Sequence, residues 1–166
     1  MYAENRPTYN IPASAYNIAP DSVEYRSGAV GLGVWDTKAE YKDIRVTENG
    51  NTTTLADLAQ AEEVLSMLYE GSFGNSMTLE LKARKTSGTE GFLIFFGMSE
   101  DGKQGYRFNI GGWGNQRTAL QQLYAQGDQV VSREVPHRIE TDRWYDLRIE
   151  LTPHVAKLFV DGQLIV

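Results

Sequence analysis

The residues best suited to chemistry in this sequence are aromatic and polar, and they sit beside turns. Gly111-Gly-Trp-Gly114 sets one large ring, Trp113, among three glycines, with Asn115, Gln116 and Arg117 directly after it. Trp35 stands in a similar setting, followed by Asp36 and Lys38. A saccharide offers a protein two handles: patches of C–H bonds that lie flat on an aromatic ring, and hydroxyls that exchange hydrogen bonds around its rim. A site for one therefore needs an exposed Trp or Tyr flanked by Asn, Gln, Asp or Arg. Arg107 and Asn109 project from the polar side of the strand before Trp113, and Gln121 joins them from the next strand. The candidate ligand-binding residues are thus Trp113, Asn115, Arg117, Asn109, Arg107, Trp35, Asp36 and Gln121. The same positions also suit a plainer use, with two rings closing the ends of a core over an ordinary wet sheet face.

Other chemistries find less support. Glycoside hydrolysis needs two carboxylates about 5–5.5 Å apart for retention, or about 6.5–9.5 Å for inversion. No Glu-x-Asp-x-x-Glu run of the laminarinase type supplies them. Glu80 and Glu150 stand singly in strands beside basic residues and read as solvated cross-strand charges. Glu90 and Glu140 fall in turns. There is no Gly-x-Ser-x-Gly elbow and no phosphate loop, and Gly111–Gly114 fits no dinucleotide fingerprint because no helix is expected after it. The chain has no cysteine, which removes disulfides, thiolate metal sites and cysteine nucleophiles together. His137 and His154 lie in separate segments without metal-ligand spacing and read as surface residues. No cofactor is expected; a structural calcium at a turn such as Glu100-Asp-Gly102 is allowed by the residue types.

The elements that must position these residues are strands. Gly91-Phe-Leu-Ile-Phe-Phe-Gly97 is almost wholly apolar and suits a strand buried on both faces. Gly105–Asn115 follows a turn at 99–103, where Gly102 is free to take positive φ. Within it Tyr106, Phe108 and Ile110 point one way, and Arg107 and Asn109 the other. Further strands are expected from Ser22 onward and at 28–35 and 39–46, the last two joined by a turn at Asp36-Thr-Lys38. In 39–46 the alternation of Tyr41, Ile44 and Val46 slips near Asp43, which predicts a bulge. Residues 48–53 read as a turn, and Leu55, Leu58, Ala61, Leu65 and Leu68 fall on one helical stripe, predicting a surface helix over 54–68. Alternation returns at 77–84, 118–124, 129–133, 144–151 and 155–160, and Asp161-Gly162 turns the chain into 163–166. Trp144, opening its strand, is expected in the core. The sum is an all-β, antiparallel sandwich of jelly-roll, concanavalin-like type with one short surface helix. Residues 1–21, rich in Pro, Asn and Tyr, read as an extended strap or linker before a single domain over 22–166.

Composition narrows the partners. The 166 residues carry 16 basic and 22 acidic side chains, a net charge of −6. An acidic surface repels phosphate, so neither nucleic acid nor an anionic membrane is an expected partner. No apolar run approaches the roughly 20 residues of a spanning helix. No signal segment opens the chain, so an extracellular or periplasmic setting is expected with the signal peptide not present.

Several runs resemble a known family. Gly91-Phe-Leu-Ile, Asn109-Ile-Gly-Gly-Trp-Gly-Asn115, Ile139-Glu-Thr-Asp-Arg-Trp-Tyr-Asp-Leu-Arg148 and Phe159-Val-Asp-Gly-Gln-Leu-Ile165 are similar to the concanavalin-like, lamin-G-like β-sandwich attached to bacterial α-L-arabinofuranosidases. Gly31-Leu-Gly-Val-Trp-Asp-Thr-Lys-Ala-Glu-Tyr-Lys-Asp-Ile-Arg-Val46 matches another segment of that module. The resemblance spans roughly 28–47 and 77–166 and implies a non-catalytic accessory domain. Its implied ligand is a plant cell-wall polysaccharide or oligosaccharide (arabinan, arabinoxylan or xylan), and its implied partner a catalytic glycoside hydrolase domain. A structural spacer packed on that hydrolase and a glycosidase in its own right are the alternatives. The segment order differs from many lamin-G-like sandwiches, where the glycine-rich strand pair comes last. A circularly permuted order accounts for this and predicts ends that lie near each other.

Overall fold

The computed structural model describes residues 24–166, so the expected strap at 1–21 lies outside the described residues. The fold is built on β1 (Ala29–Glu48), a 20-residue strand. Sequence alone predicts two strands broken by a turn at Asp36-Thr-Lys38. Instead the chain runs straight on, and Asp36 takes a left-handed φ of 49° at a register shift between Trp35 and Thr37. An Asp tolerates that conformation, and a bulge absorbs the extra residue without ending the ladder. The slip expected near Asp43 is present, with φ 54° and a second shift between Lys42 and Arg45.

After β1 the expected helix is absent. Asn49 and Gly50, at φ 48° and 77°, make a tight turn into β2 (Asn51–Leu55), and β3 (Leu58–Leu68) follows. Both pair antiparallel with β1 along one edge. The apolar spacing of three and four that mimics a helix comes from two irregularities. The strand breaks at 56–57, where Asp57 accepts the Asp43 amide at 3.1 Å, and Glu63 takes φ 61°. Leu55, Leu58, Ala61 and Leu65 still reach the main core, whereas Leu68 packs on the opposite face. The open edge of a long strand needs hydrogen-bond partners, and that demand overrides helical propensity.

On its other edge β1 serves two limbs. Residues 37–47 pair with β4 (Met77–Gly88), and residues 29–33 pair with β5 (Phe92–Met98). The first limb continues through β10 (Trp144–Thr152) to β11 (Val155–Val160) and β12 (Gln163–Leu164). The second continues through β6 (Gly105–Gly111) and β7 (Arg117–Tyr124) to β8 (Gly127–Val130), with β9 (Val135–Pro136) on β7. Inward residues of both limbs share one core, including Tyr41, Leu79, Phe92, Phe108, Leu147 and Ile149. The sheet is therefore one curled antiparallel layer, open between β12 and β8, whose two limbs pack over a common core as a sandwich, with the crossing between limbs at the Asp36 bulge. Tyr41 donates to the Gly33 carbonyl at 2.6 Å in the core, and burial pushes its phenol far above its usual range. One short helical turn, α1 (Gly112–Asn115), follows β6.

Two smaller expectations change. Residues 24–27 are not in a strand, although Tyr25 packs its ring on Phe96 and Tyr106. Trp144 is not in the core: the inward set of β10 is Tyr145, Leu147, Ile149 and Leu151, which leaves Trp144 on the outer face. There the cations of Lys42 and Arg84 lie over its ring, at 4.1 and 4.9 Å from its centroid. Tyr25 donates to the Pro153 carbonyl and Leu158 to that of Val166, so residues 25 and 166 are both held on the β10–β11 hairpin.

Candidate functional site

The outer face of the second limb is shaped by two missing side chains. Leu32 and Val34 fill the core, so Gly31 and Gly33 face outward. A Cβ at Gly33 would meet the Leu65 carbonyl at 2.3 Å and the Phe95 ring at 3.0 Å. Only glycine lets Phe95 lie there. Phe95, Leu93 and Met98 form a second, smaller apolar cluster on this face, which explains why β5 is buried on both sides.

Beside that cluster is an open cleft of about 210 Å³ lined by Trp35, Glu90, Leu93, Arg107, Asn109, Trp113, Gln121 and Asp128. It unites five of the sequence-predicted residues, drawn from β1, β6, β7 and α1. Their polar groups form one network. Gln121 Oε1 accepts from Arg107 Nε at 2.8 Å and from Asn109 Nδ2 at 3.2 Å, and Asp128 accepts from Arg107 at 2.9 Å. Burial lowers the Arg107 pKa, and the Asp128 and Glu90 carboxylates pull it back up. The volume lies below the roughly 300–1,000 Å³ of drug-sized pockets, which suits a small unit such as a sugar ring resting on an open face.

The turn that carries Trp113 is pinned, not loose. Gly111, Trp113, Gly114 and Asn115 all have positive φ, with Trp113 at φ 52°, ψ 52°. A bulky residue in that region is strained by about 1–2 kcal/mol, so surrounding contacts must hold it. Glu90 accepts the Gly114 amide at 3.1 Å, and Arg117 stacks its guanidinium 4.7 Å from the Trp113 centroid. Gly111 N–H donates to Thr118 Oγ1 at 3.0 Å, and that hydroxyl lies 2.8 Å from His137 Nδ1. The Thr118 hydroxyl, with one proton and two lone pairs, can serve the Gly111 amide and the His137 ring together. His137 is accordingly half-buried and not a plain surface residue, and burial pushes its pKa below the usual 6.5.

Three expected contacts are placed elsewhere. Asn115 clamps Ile139, donating to its carbonyl at 2.9 Å and accepting its amide at 2.7 Å. Asp36 accepts from the Thr89 hydroxyl at 2.7 Å, which fastens the bulge to the end of β4. Arg117 is paired with Glu134 and stacked behind Trp113, so it supports the ring from outside the cleft. Trp35 is 56% exposed and remains available.

Sequence reasoning missed Glu90, Leu93 and Asp128. Glu90 reads as a turn residue, yet it stands two residues before β5, whose outward Leu93 lines the cleft. The β7–β8 hairpin register sets Asp128 opposite Leu123, one step along the sheet from Arg107. At the loop considered for calcium, Asp101 accepts from the Ser99 hydroxyl at 2.7 Å and the Lys103 amide at 3.0 Å. These bonds hold its carboxyl below the usual range. Among the described residues, no group of three or more His, Asp or Glu is arranged to hold a metal ion.

The chain is 30% identical, over 180 aligned positions, to an extracellular exo-alpha-L-arabinofuranosidase of Streptomyces chartreusis. The match covers 92% of this chain and 21% of that enzyme, so the chain spans about a fifth of its relative's length. No protein-family model and no solved structure matches the chain. Among the described residues, no helix is long and apolar enough to cross a membrane.

Proposed function

We propose that this chain is a non-catalytic carbohydrate-binding module that recognises plant cell-wall polysaccharide (arabinan, arabinoxylan or xylan) alongside a secreted glycoside hydrolase. The observation that carries the reading is the convergence of Trp35 and Trp113 with Arg107, Asn109 and Gln121 on one cleft. Rings supply flat apolar faces, and the amide and guanidinium groups supply fixed partners for hydroxyls. A strained Trp113 backbone is the kind of outlier that a binding role accounts for. The relative adds context, since a match to a fifth of an arabinofuranosidase fits an accessory region of such an enzyme.

Calorimetric titration with arabinan, arabinoxylan and xylan oligosaccharides tests the reading. Saturable binding that weakens in Trp113→Ala supports it; no binding to any of the three refutes it. One observation favours a glycosidase as second reading, because two carboxylates, Glu90 and Asp128, line the same cleft. Against it, Asp128 is engaged by Arg107 and Glu90 by the Gly114 amide. Release of reducing sugar that disappears in Glu90→Gln would establish hydrolysis. The spacer alternative calls for one contiguous apolar patch. The exposed large apolar residues are Trp35, Val64, Tyr124, Val131, Val155 and Leu164, and of these Trp35 and Val64 are direct cross-strand neighbours on β1 and β3.

A further inference from the structure

The charges in the cleft carry more than the aromatic rings do. Plant cell-wall polysaccharides come in neutral form and in forms carrying uronic acids, which differ by a carboxylate on the sugar. A cleft built for the acidic form would present an unpaired guanidinium or ammonium. Arg107 is the cation that lines this one, and it is already partly engaged. Nε is bonded to Gln121 and one of its two terminal nitrogens, Nη2, to Asp128, and its side chain is 21% exposed. Glu90 stands in the same cleft with its other function, holding the Gly114 amide of the Trp113 turn. Two carboxylates against one guanidinium leave the lining one negative charge in excess.

We infer that Glu90 and Asp128 are specificity-determining residues that make the cleft select neutral saccharides and reject uronate-bearing ones. This rests on the sugar-binding reading above. Like charges brought together at a binding face suppress the wrong partner, and the penalty is felt where water is partly excluded. Asp128 acts twice: it contributes a charge of its own and holds one of the two terminal nitrogens of the guanidinium, which spoils the bidentate pairing a uronate would otherwise make. Glu90 acts by charge alone, since a glutamine retains an acceptor for the Gly114 amide.

The test compares a neutral xylo-oligosaccharide with its counterpart bearing one glucuronic acid, by calorimetry on wild type, Asp128→Asn and Glu90→Gln. Thermal melts run alongside confirm that each variant is folded. Wild type should bind the neutral sugar at least about tenfold more tightly, and each variant should shrink that ratio by several-fold, Asp128→Asn more. Raising salt to about 1 M, where the screening length falls to roughly 3 Å, should narrow the wild-type ratio too. Equal binding of both sugars by wild type overturns the inference while leaving the module reading in place. So does a preference that neither substitution nor salt alters, because its origin would then be steric. Failure of wild type to bind either sugar removes the module reading and this inference with it.

Discussion

The two outer faces of the sandwich are made from the same kind of antiparallel strand and are used in opposite ways. On the first limb the outward positions of β1, β4 and β10 neutralise one another. Lys82 pairs with Asp146 at 2.5 Å, Arg84 with Glu40, and Arg45 with Glu80 at 3.6 Å, while Arg148 bonds Glu150 within its own strand. Trp144 has the cations of Lys42 and Arg84 over its ring there. On the second limb the outward positions hold two glycines, an apolar floor and a polar network, and two indoles stand at the margin of the cleft they enclose. The first face also has an open cleft, of about 480 Å³, but charged side chains of both signs line it, Arg45, Glu80, Lys82, Asp146 and Arg148 among them. The second face has missing side chains and one strained aromatic, Trp113, and that contrast, more than the presence of tryptophan, separates the two.

The strongest way to break the contrast is to remove the rings. The double variant Trp35→Ala/Trp113→Ala should lose about 3 kcal/mol of sugar affinity, roughly two orders of magnitude, by calorimetry. Trp144→Ala, on the other face, should bind as wild type does. Next in size is the floor. Gly33→Ala drives a methyl into the Leu65 carbonyl and the Phe95 ring, and should lower stability in urea by about 2 kcal/mol. Glu80→Gln, which breaks an exposed pair on the charged face, should cost under about 1 kcal/mol.

A finer comparison concerns the Trp113 turn. Trp113→Gly and Trp113→Ala both delete the indole, yet glycine accepts positive φ freely. The Gly variant should therefore be more stable than the Ala variant by about 1 kcal/mol in urea melts, with both binding sugar more weakly than wild type, and equally so. The smallest effect is expected from His137 behind that turn. Its folded-state pKa lies below the unfolded 6.5, so its contribution is intact above pH 6.5 and declines as pH falls toward the folded-state value. Urea midpoints measured near pH 7.5 and pH 5.5 should differ less in His137→Gln than in wild type.

Much of this was legible in the sequence, and the failures have physical causes. Alternation of Tyr106, Phe108 and Ile110 against Arg107 and Asn109 gave the face of β6 directly, because side-chain period in a strand is fixed at two. Trp144 was misplaced because its size suggested burial, although by the same rule its parity with Asp146, Arg148 and Glu150 dictated exposure. The false helix at 54–68 arose where irregularities broke that period. Asn49-Gly50, a favoured hairpin pair, was the local sign that a strand would follow. Residue types picked out Trp35, Trp113, Arg107, Asn109 and Gln121, which the fold brings to one cleft. They did not reveal that Asn115, Asp36 and Arg117 serve the scaffold, since those roles depend on Ile139, Thr89 and Glu134, which are distant or unremarkable in sequence.

The most direct measurement follows the three indole N–H resonances by NMR during titration with a cell-wall oligosaccharide. Those of Trp35 and Trp113 should move together and saturate, while that of Trp144 stays fixed. Movement of the Trp144 signal in their place, or no movement of any, would contradict the assignment of the second limb's outer face as the one that meets the ligand.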